Sequence, residues 1–188
     1  MKIKIQKILT LNNRVNIPAL ISGVIVLFYT MLLQEPWWIV KSEDNYTLII
    51  SYAPYKICCL ILGRPVYIPI ADYLSISGLL VFTLISILLI IGALIQNKNL
   101  AEILIGYRCF LIIILIPILL YTSLLCISIF AQISLPLVGS REVNWTIFLD
   151  NKLIKVTLLV SSEFTYVFYI MIICAILSLI GKLALRIT

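Results

Sequence analysis

Four long apolar runs dominate the hydrophobic pattern of the chain, and Lys182, near the end of the last run, is the only Asp, Glu, Lys, Arg or His residue within them. A helix of roughly 20 apolar residues matches the roughly 30 Å hydrocarbon core of a bilayer. The pattern therefore predicts an all-α integral membrane protein, a four-transmembrane-helix bundle that forms a single membrane domain over residues 1–188. The predicted transmembrane helices lie at about 15–34, 73–97, 109–134 and 164–183.

The segment before the fourth run has a period of two residues, which is typical of strands. An apolar residue occupies every second position over 143–149 and again over 154–160. Asp150-Asn151 lies between the two stretches, and both residue types tolerate the positive φ angles of a tight turn. This pattern predicts a β-hairpin.

Strand-like segments also occur in the first long loop, at 46–52 and 56–62. Isolated hairpins are marginally stable in water, so pairing them would bury their apolar faces. We expect the loops 35–72 and 135–163, between helices one and two and between helices three and four, to form a small extracytoplasmic antiparallel β-sheet of about four or five strands.

Composition and charge agree with a membrane location and indicate an orientation. Hydrophobic residues make up 63% of the chain, charged residues make up 12%, and the mean hydropathy is +1.17. Of the 14 Lys and Arg residues, eight lie on the side of the N-terminus, with Glu102 as the only acid there. Basic residues near span ends stay in the cytoplasm. We therefore predict a multi-pass cell-membrane protein with cytoplasmic N- and C-termini, in which the net charge of +6 favours contact with membrane lipids over nucleic acid.

The residue types that carry most cofactor and acid–base chemistry are scarce. The chain has no His, and none of its five Cys residues forms a CxxC spacing. We predict no metal, no cofactor and no catalytic residue, and a non-enzymatic role is favoured. Asp72 and Glu163 are interpreted as acidic residues at helix N-termini, and Glu102 with Arg108 as a solvated pair.

Aromatic residues cluster where the predicted spans meet the outer loops. Trp and Tyr favour the headgroup level of a bilayer. The predicted interfacial anchors are Trp37, Trp38, Tyr73, Tyr166 and Tyr169.

Two Asn-x-Thr sequons, beginning at Asn45 and Asn144, fall in the outer loops. Glycosylation requires this exposure outside the cytoplasm. Both asparagines are therefore possible glycosylation sites.

Small residues recur on one face of two predicted spans. Ala19 and Gly23 are four residues apart, and Ala175, Ser178 and Gly181 follow at intervals of three. Such stripes let helices approach closely, either within one chain or between subunits.

A bend with polar neighbours offers the one candidate cavity. Proline inside a helix removes a hydrogen bond and kinks the axis. The possible cavity-lining residues are Pro117, Thr122, Ser123, Cys126 and Gln132.

The leading functional hypothesis is a non-catalytic structural or accessory protein, a subunit of a larger membrane complex that contacts other integral membrane proteins through its outer β-layer and helix surfaces. The alternative is a small permease or a lipid- or quinone-handling membrane enzyme with its cavity near Pro117. Co-purification at fixed stoichiometry would favour the first hypothesis, and flux across reconstituted membranes would favour the second.

Overall fold

A computed structural model describes residues 10–11, 15–44, 47–67, 69–106, 116, 118, 120–121, 135–149 and 152–187. The helices in this part of the chain are α1 (Ile17–Phe28), α2 (Pro69–Leu94), α3 (Lys98–Ile105) and α4 (Tyr166–Ile187). The strands are β1 (Thr10–Leu11), β2 (Val15–Asn16), β3 (Trp38–Ser42), β4 (Leu48–Ala53), β5 (Lys56–Ile61), β6 (Arg64–Pro65), β7 (Gly139–Leu149) and β8 (Lys152–Phe164).

Helix α1 begins at a capping asparagine and ends in a π-turn. The Asn16 side-chain oxygen accepts a hydrogen bond from the Ala19 N–H at 3.3 Å, which satisfies one of the free donors of the first turn. After Phe28 the helix widens into a five-residue π-turn, Tyr29–Leu33. Gln34, in the left-handed region with φ 48°, ends it and redirects the chain into the sheet.

Helix α1 packs between α2 and α4 through small residues. A side chain on Gly23 would collide with α2 near Ser86, and one on Gly181 would collide with Ala19. The Ser22 hydroxyl donates to the Cys174 carbonyl at 2.8 Å, which joins α1 to α4. The small-residue stripes therefore bring together helices of one chain.

Six strands form one antiparallel sheet in the order β6-β5-β4-β3-β8-β7. The hairpin predicted over 143–160 is confirmed, with Leu149 opposite Lys152 at its closed end. Strands β4 and β5 pair around the turn at Pro54-Tyr55, with Ala53 opposite Lys56.

One face of the sheet packs on its own apolar core. Trp38, Val40, Val143 and Val160 are buried there, and Leu120 contacts the same cluster. The Trp38 indole N–H donates to the Leu137 carbonyl at 2.7 Å, so the buried ring keeps a polar partner.

The prediction of an all-α, four-helix bundle is wrong. The described chain is mixed α/β, and two of its helices are long and apolar enough to cross a membrane, Ala71–Leu94 with 24 residues and Tyr166–Arg186 with 21. The first predicted span is shorter, because the apolar helix ends at Leu33. The predicted span 109–134 lies largely outside the described residues. The apolar content of the loops also builds more sheet than expected, since β7 and β8 have 11 and 13 residues.

The sheet lies at one end of the helices. Strand β3 follows α1, strand β8 runs into α4, and α2 begins after β6. At the far end, Asn16 donates from its side-chain amide to the Gly181 carbonyl at 2.7 Å, which places the start of α1 beside the end of α4. Helix α1 is therefore antiparallel to α4.

Candidate interaction surface

The face of the sheet that points away from its core has an apolar centre. Ile49 lies opposite both Lys41 and Leu60, and Ile39 lies opposite Ser51 and Glu163. Ile39, Ile49 and Leu60 are each partly exposed on this face, which they share with polar residues. We call this surface the outer face, defined by Ile39, Lys41, Ile49, Ser51, Cys58, Leu60, Ser161 and Glu163.

Polar groups surround the apolar centre of the outer face. Ser161 and Glu163 are exposed on β8, and Cys58 is exposed on β5. The adjacent Cys59 faces the other side of the sheet, and burial together with the neighbouring Cys58 raises the pKa of its thiol. Cys58 is therefore the more accessible thiol of this pair.

An aromatic junction fixes the sheet on the helices. Trp37 is 1% exposed and meets Tyr55, Phe82 and Phe168 at ring-centroid distances of 6.3, 5.5 and 6.0 Å. Its indole N–H donates to the Tyr55 hydroxyl at 3.0 Å, and that hydroxyl donates to the Glu35 carbonyl at 2.9 Å. Burial raises the pKa of Tyr55 from 10.0 to about 12. The tyrosine therefore stays neutral, and keeps both hydrogen bonds, above the pH at which a free tyrosine ionises.

The turn between β4 and β5 fits directly against α2. A Cβ on Gly78 would overlap the Pro54 carbonyl oxygen, so only glycine permits this approach. One turn earlier, the Ser75 hydroxyl accepts a hydrogen bond from the Ile57 N–H at 3.2 Å. The Ile57 N–H has no partner on the other described strands, so Ser75 supplies its hydrogen bond. The position of the outer face is therefore set by α2.

A second contact ties the start of α4 to the end of α1. The Thr165 hydroxyl donates to the Pro36 carbonyl at 2.5 Å, and the Thr165 N–H donates to the Trp37 carbonyl at 2.9 Å. The Tyr166 hydroxyl donates to the Glu35 carboxylate. The two chain segments that enter the sheet are thereby held side by side.

The opposite end of the helices carries charged groups. Arg186 on α4 pairs with Glu102 on α3 at 2.7 Å. That hydrogen bond, with the charges of Arg186, Lys182 and Lys98, lowers the pKa of Glu102. The partner of Glu102 is thus Arg186, and Arg108 lies outside the described residues.

The structure separates the five residues predicted as interfacial anchors into two groups. Trp37 and Trp38 are each 1% exposed and pack within the protein. Tyr73, Tyr166 and Tyr169 are exposed, and their anchoring role stays a prediction. The internal role of the tryptophans had no sequence signal, because adjacent aromatic residues after an apolar run are equally typical of a membrane interface.

All five residues of the predicted cavity lie outside the described part of the chain. This applies to Pro117, Thr122, Ser123, Cys126 and Gln132. The cavity, and with it the transport or lipid-handling hypothesis, stays a prediction. Of the two sequon asparagines, Asn45 also lies outside the described residues, whereas Asn144 is exposed on β7.

Comparison with known proteins gives no relative: the chain matches no protein-family model, and no curated protein or solved structure shows significant similarity. The outer face, the junction and the exposed helix surfaces are therefore the basis for the function proposed below.

Proposed function

We propose that this chain is a non-catalytic integral membrane protein of the structural or accessory class, which presents the outer face of its sheet to another membrane protein. The helices lie in the bilayer and the sheet lies outside it. The observation that carries the proposal is the composition of the outer face, an apolar centre within a polar rim.

The exposed surfaces of the helices support a bilayer location. Leu80 and Leu84 on α2 are 65% and 57% exposed, and Ile173 and Ile176 on α4 are 54% and 48% exposed. Contiguous apolar surface of this kind marks a membrane or protein contact. Lipid tails would cover these side chains at no cost in solvation.

The charge at the far end of the helices supports an orientation. Lys98, Lys182 and Arg186 lie at the end opposite the sheet. Basic residues near span ends favour the cytoplasmic side. A multi-pass topology with cytoplasmic termini and an external sheet satisfies this preference.

The outer face has the anatomy of a protein interface. Such interfaces combine an apolar centre with a polar, solvated rim. Ile39, Ile49 and Leu60 supply the centre, while Lys41 and Glu163 supply charges of both signs at the rim. A second integral membrane protein would meet this face beside its own membrane contacts.

Photocrosslinking in the source membrane tests the proposal. A photoreactive residue at Ile49 or Leu60 is expected to give one discrete protein adduct, which Leu60→Lys in the Ile49-labelled chain removes. The matched control places the same residue at Arg64, an exposed position on the edge strand β6. Equal labelling at all three positions, or release of the chain from membranes by alkaline carbonate, would contradict the proposal.

A further inference from the structure

The sequon at Asn144 lies on the edge strand of the described sheet. Strand β7 is last in the order of strands and pairs with β8 alone. The Leu159 carbonyl accepts a hydrogen bond from the Glu43 N–H at 3.0 Å, so it points away from its β7 partner, Glu142. Antiparallel pairs alternate between bonded and non-bonded types. The pair two residues further on, Asn144 opposite Thr157, is therefore also non-bonded.

This pairing directs the backbone of the sequon toward the free edge. In a non-bonded pair the N–H and C=O groups of Asn144 point away from β8. Thr146 lies two residues along the same strand, opposite Lys155, so its backbone has the same orientation. An extended Asn-x-Thr segment is thus open along one edge.

The side chain of Asn144 is held with its nitrogen available. The Thr157 hydroxyl donates to the Asn144 Oδ1 atom at 2.9 Å. Asn144 Nδ2, the atom to which an N-linked glycan attaches, makes no hydrogen bond within the described residues, and the residue is exposed. The oxygen is therefore oriented by the protein while the reacting nitrogen is left open.

A glycan on this face would leave the sheet core intact. Val143, the residue before Asn144, is 4% exposed and belongs to the core on the opposite face. Successive residues of a strand point to opposite faces. A substituent on Asn144 therefore displaces no core side chain, and it would shield the long unpaired edge of β7 from pairing with other chains.

We infer that Asn144 is an N-glycosylation site, the acceptor for a lipid-linked oligosaccharide donor. The inference rests on the proposed topology, because the sheet must lie outside the cytoplasm. In the transfer, a bond forms between Asn144 Nδ2 and the anomeric carbon of the sugar. The bond from that carbon to the lipid phosphate breaks, the lipid phosphate leaves with its electron pair, and Nδ2 gives up one proton to the medium. No oxidant or reductant takes part.

Expression of the full chain in a glycosylating host tests this site. The wild-type chain is expected to run as a larger species that an N-glycan amidase returns to the unmodified mobility. Asn144→Gln should abolish the shift in a chain that also carries Asn45→Gln. Thr146→Ser, which keeps the sequon, and Asn45→Gln, which removes the other sequon, should both retain a shifted band.

The topology is measured independently by labelling Cys58, which is exposed on the outer face, with a membrane-impermeant maleimide in intact cells. Cys58→Ala is the control for this labelling. An unshifted wild-type chain with Cys58 labelled from outside, or a shift lost only in Asn45→Gln, would overturn the Asn144 site and leave the topology standing. Labelling of Cys58 only after permeabilisation would overturn the topology, and the glycan site with it.

Discussion

The helix layer and the sheet layer of this protein differ in the residues that pack them together and in the residues on their outer surfaces. Between helices, the contacts use glycine, alanine and serine, and the Ser22 hydroxyl bonds a carbonyl of the neighbouring helix. Within the sheet, Trp38 fills the core, while Ser161 and Glu163 face outward. The helices are apolar on the outside, and the sheet is mixed. This difference is expected if lipid surrounds the helices and water surrounds the sheet.

The two layers meet at the aromatic junction, which combines both ways of packing. Trp37 contributes apolar area, and Tyr55 carries the hydrogen bonds that join the sheet to the end of α1. Substitutions at the junction should therefore have the largest effects, and substitutions at exposed charges the smallest.

Trp37→Ala should have the largest effect on stability. Removing this buried ring leaves a cavity between the sheet and the helices and should lower the free energy of unfolding by about 3–5 kcal/mol. Denaturant unfolding in detergent micelles measures this loss. Tyr67→Ala, at an exposed aromatic residue outside the junction, should stay within about 0.5 kcal/mol of wild type.

Gly78→Ala should separate the sheet from α2. The new methyl group would overlap the Pro54 carbonyl, and backbone on both sides resists movement, so we expect a loss of about 3 kcal/mol. Unfolding measurements should show no comparable loss for the neighbouring Ser77→Ala, because Ser77 is exposed. Equal stability of the two variants would show that the turn does not rest on the helix.

Tyr55→Phe removes only the hydroxyl, so it should separate the contribution of the junction's hydrogen bonds from that of its apolar packing. The Trp37 indole N–H would lose its partner in a buried site, which should cost about 1–3 kcal/mol.

The unfolded tyrosine loses its proton near pH 10.0, while the folded one keeps it up to about pH 12. Stability from this group is therefore complete below pH 10 and is lost as the pH rises toward 12. The variant should show a smaller alkaline loss than wild type, and an identical loss would assign the effect to other groups.

Gly23→Ala should have a smaller effect than Gly78→Ala. Its methyl group would meet the Ile90 Cγ1 atom at 2.8 Å and the Ser86 carbonyl oxygen at 3.1 Å, which are milder contacts than the overlap at Gly78, and alanine favours the helix by about 1 kcal/mol. A net change below about 1 kcal/mol is expected in the same unfolding assay. A larger loss would mean that α1 and α2 pack as rigidly as the turn on α2.

Arg186→Gln should have the smallest effect. The ion pair with Glu102 is exposed, and exposed pairs contribute little. The unfolding temperature should match wild type at moderate salt. The same substitution should raise the pKa of Glu102 toward its ordinary value, as NMR titration would detect.

Local patterns were sufficient to predict some elements. The two-residue period over 143–160 predicted the β7–β8 hairpin, because alternation reports which residues share a face. Strand β3 was not predicted, because Trp38 and its apolar neighbours directly follow the first apolar run and show little alternation. Apolar length also failed to fix the fold class, since a buried strand and a membrane helix are both apolar.

The contacts that position the outer face could not be predicted from the sequence. Gly78 looks like any small residue in an apolar helix until Pro54, distant in sequence, is placed against it. The same holds for Glu102, whose partner Arg186 lies 84 residues away. Such pairs depend on the tertiary arrangement.

Electron paramagnetic resonance of single spin labels tests most directly the claim that the two layers meet different solvents. Labels at Leu84 and Ile176, exposed on α2 and α4, are compared with one at Ser161 on the outer face, in a chain without its native cysteines and reconstituted in lipid vesicles. The helix labels should collide with oxygen far more than with a water-soluble nickel complex, and the Ser161 label should show the reverse. Equal access of the nickel complex to all three labels would contradict the account.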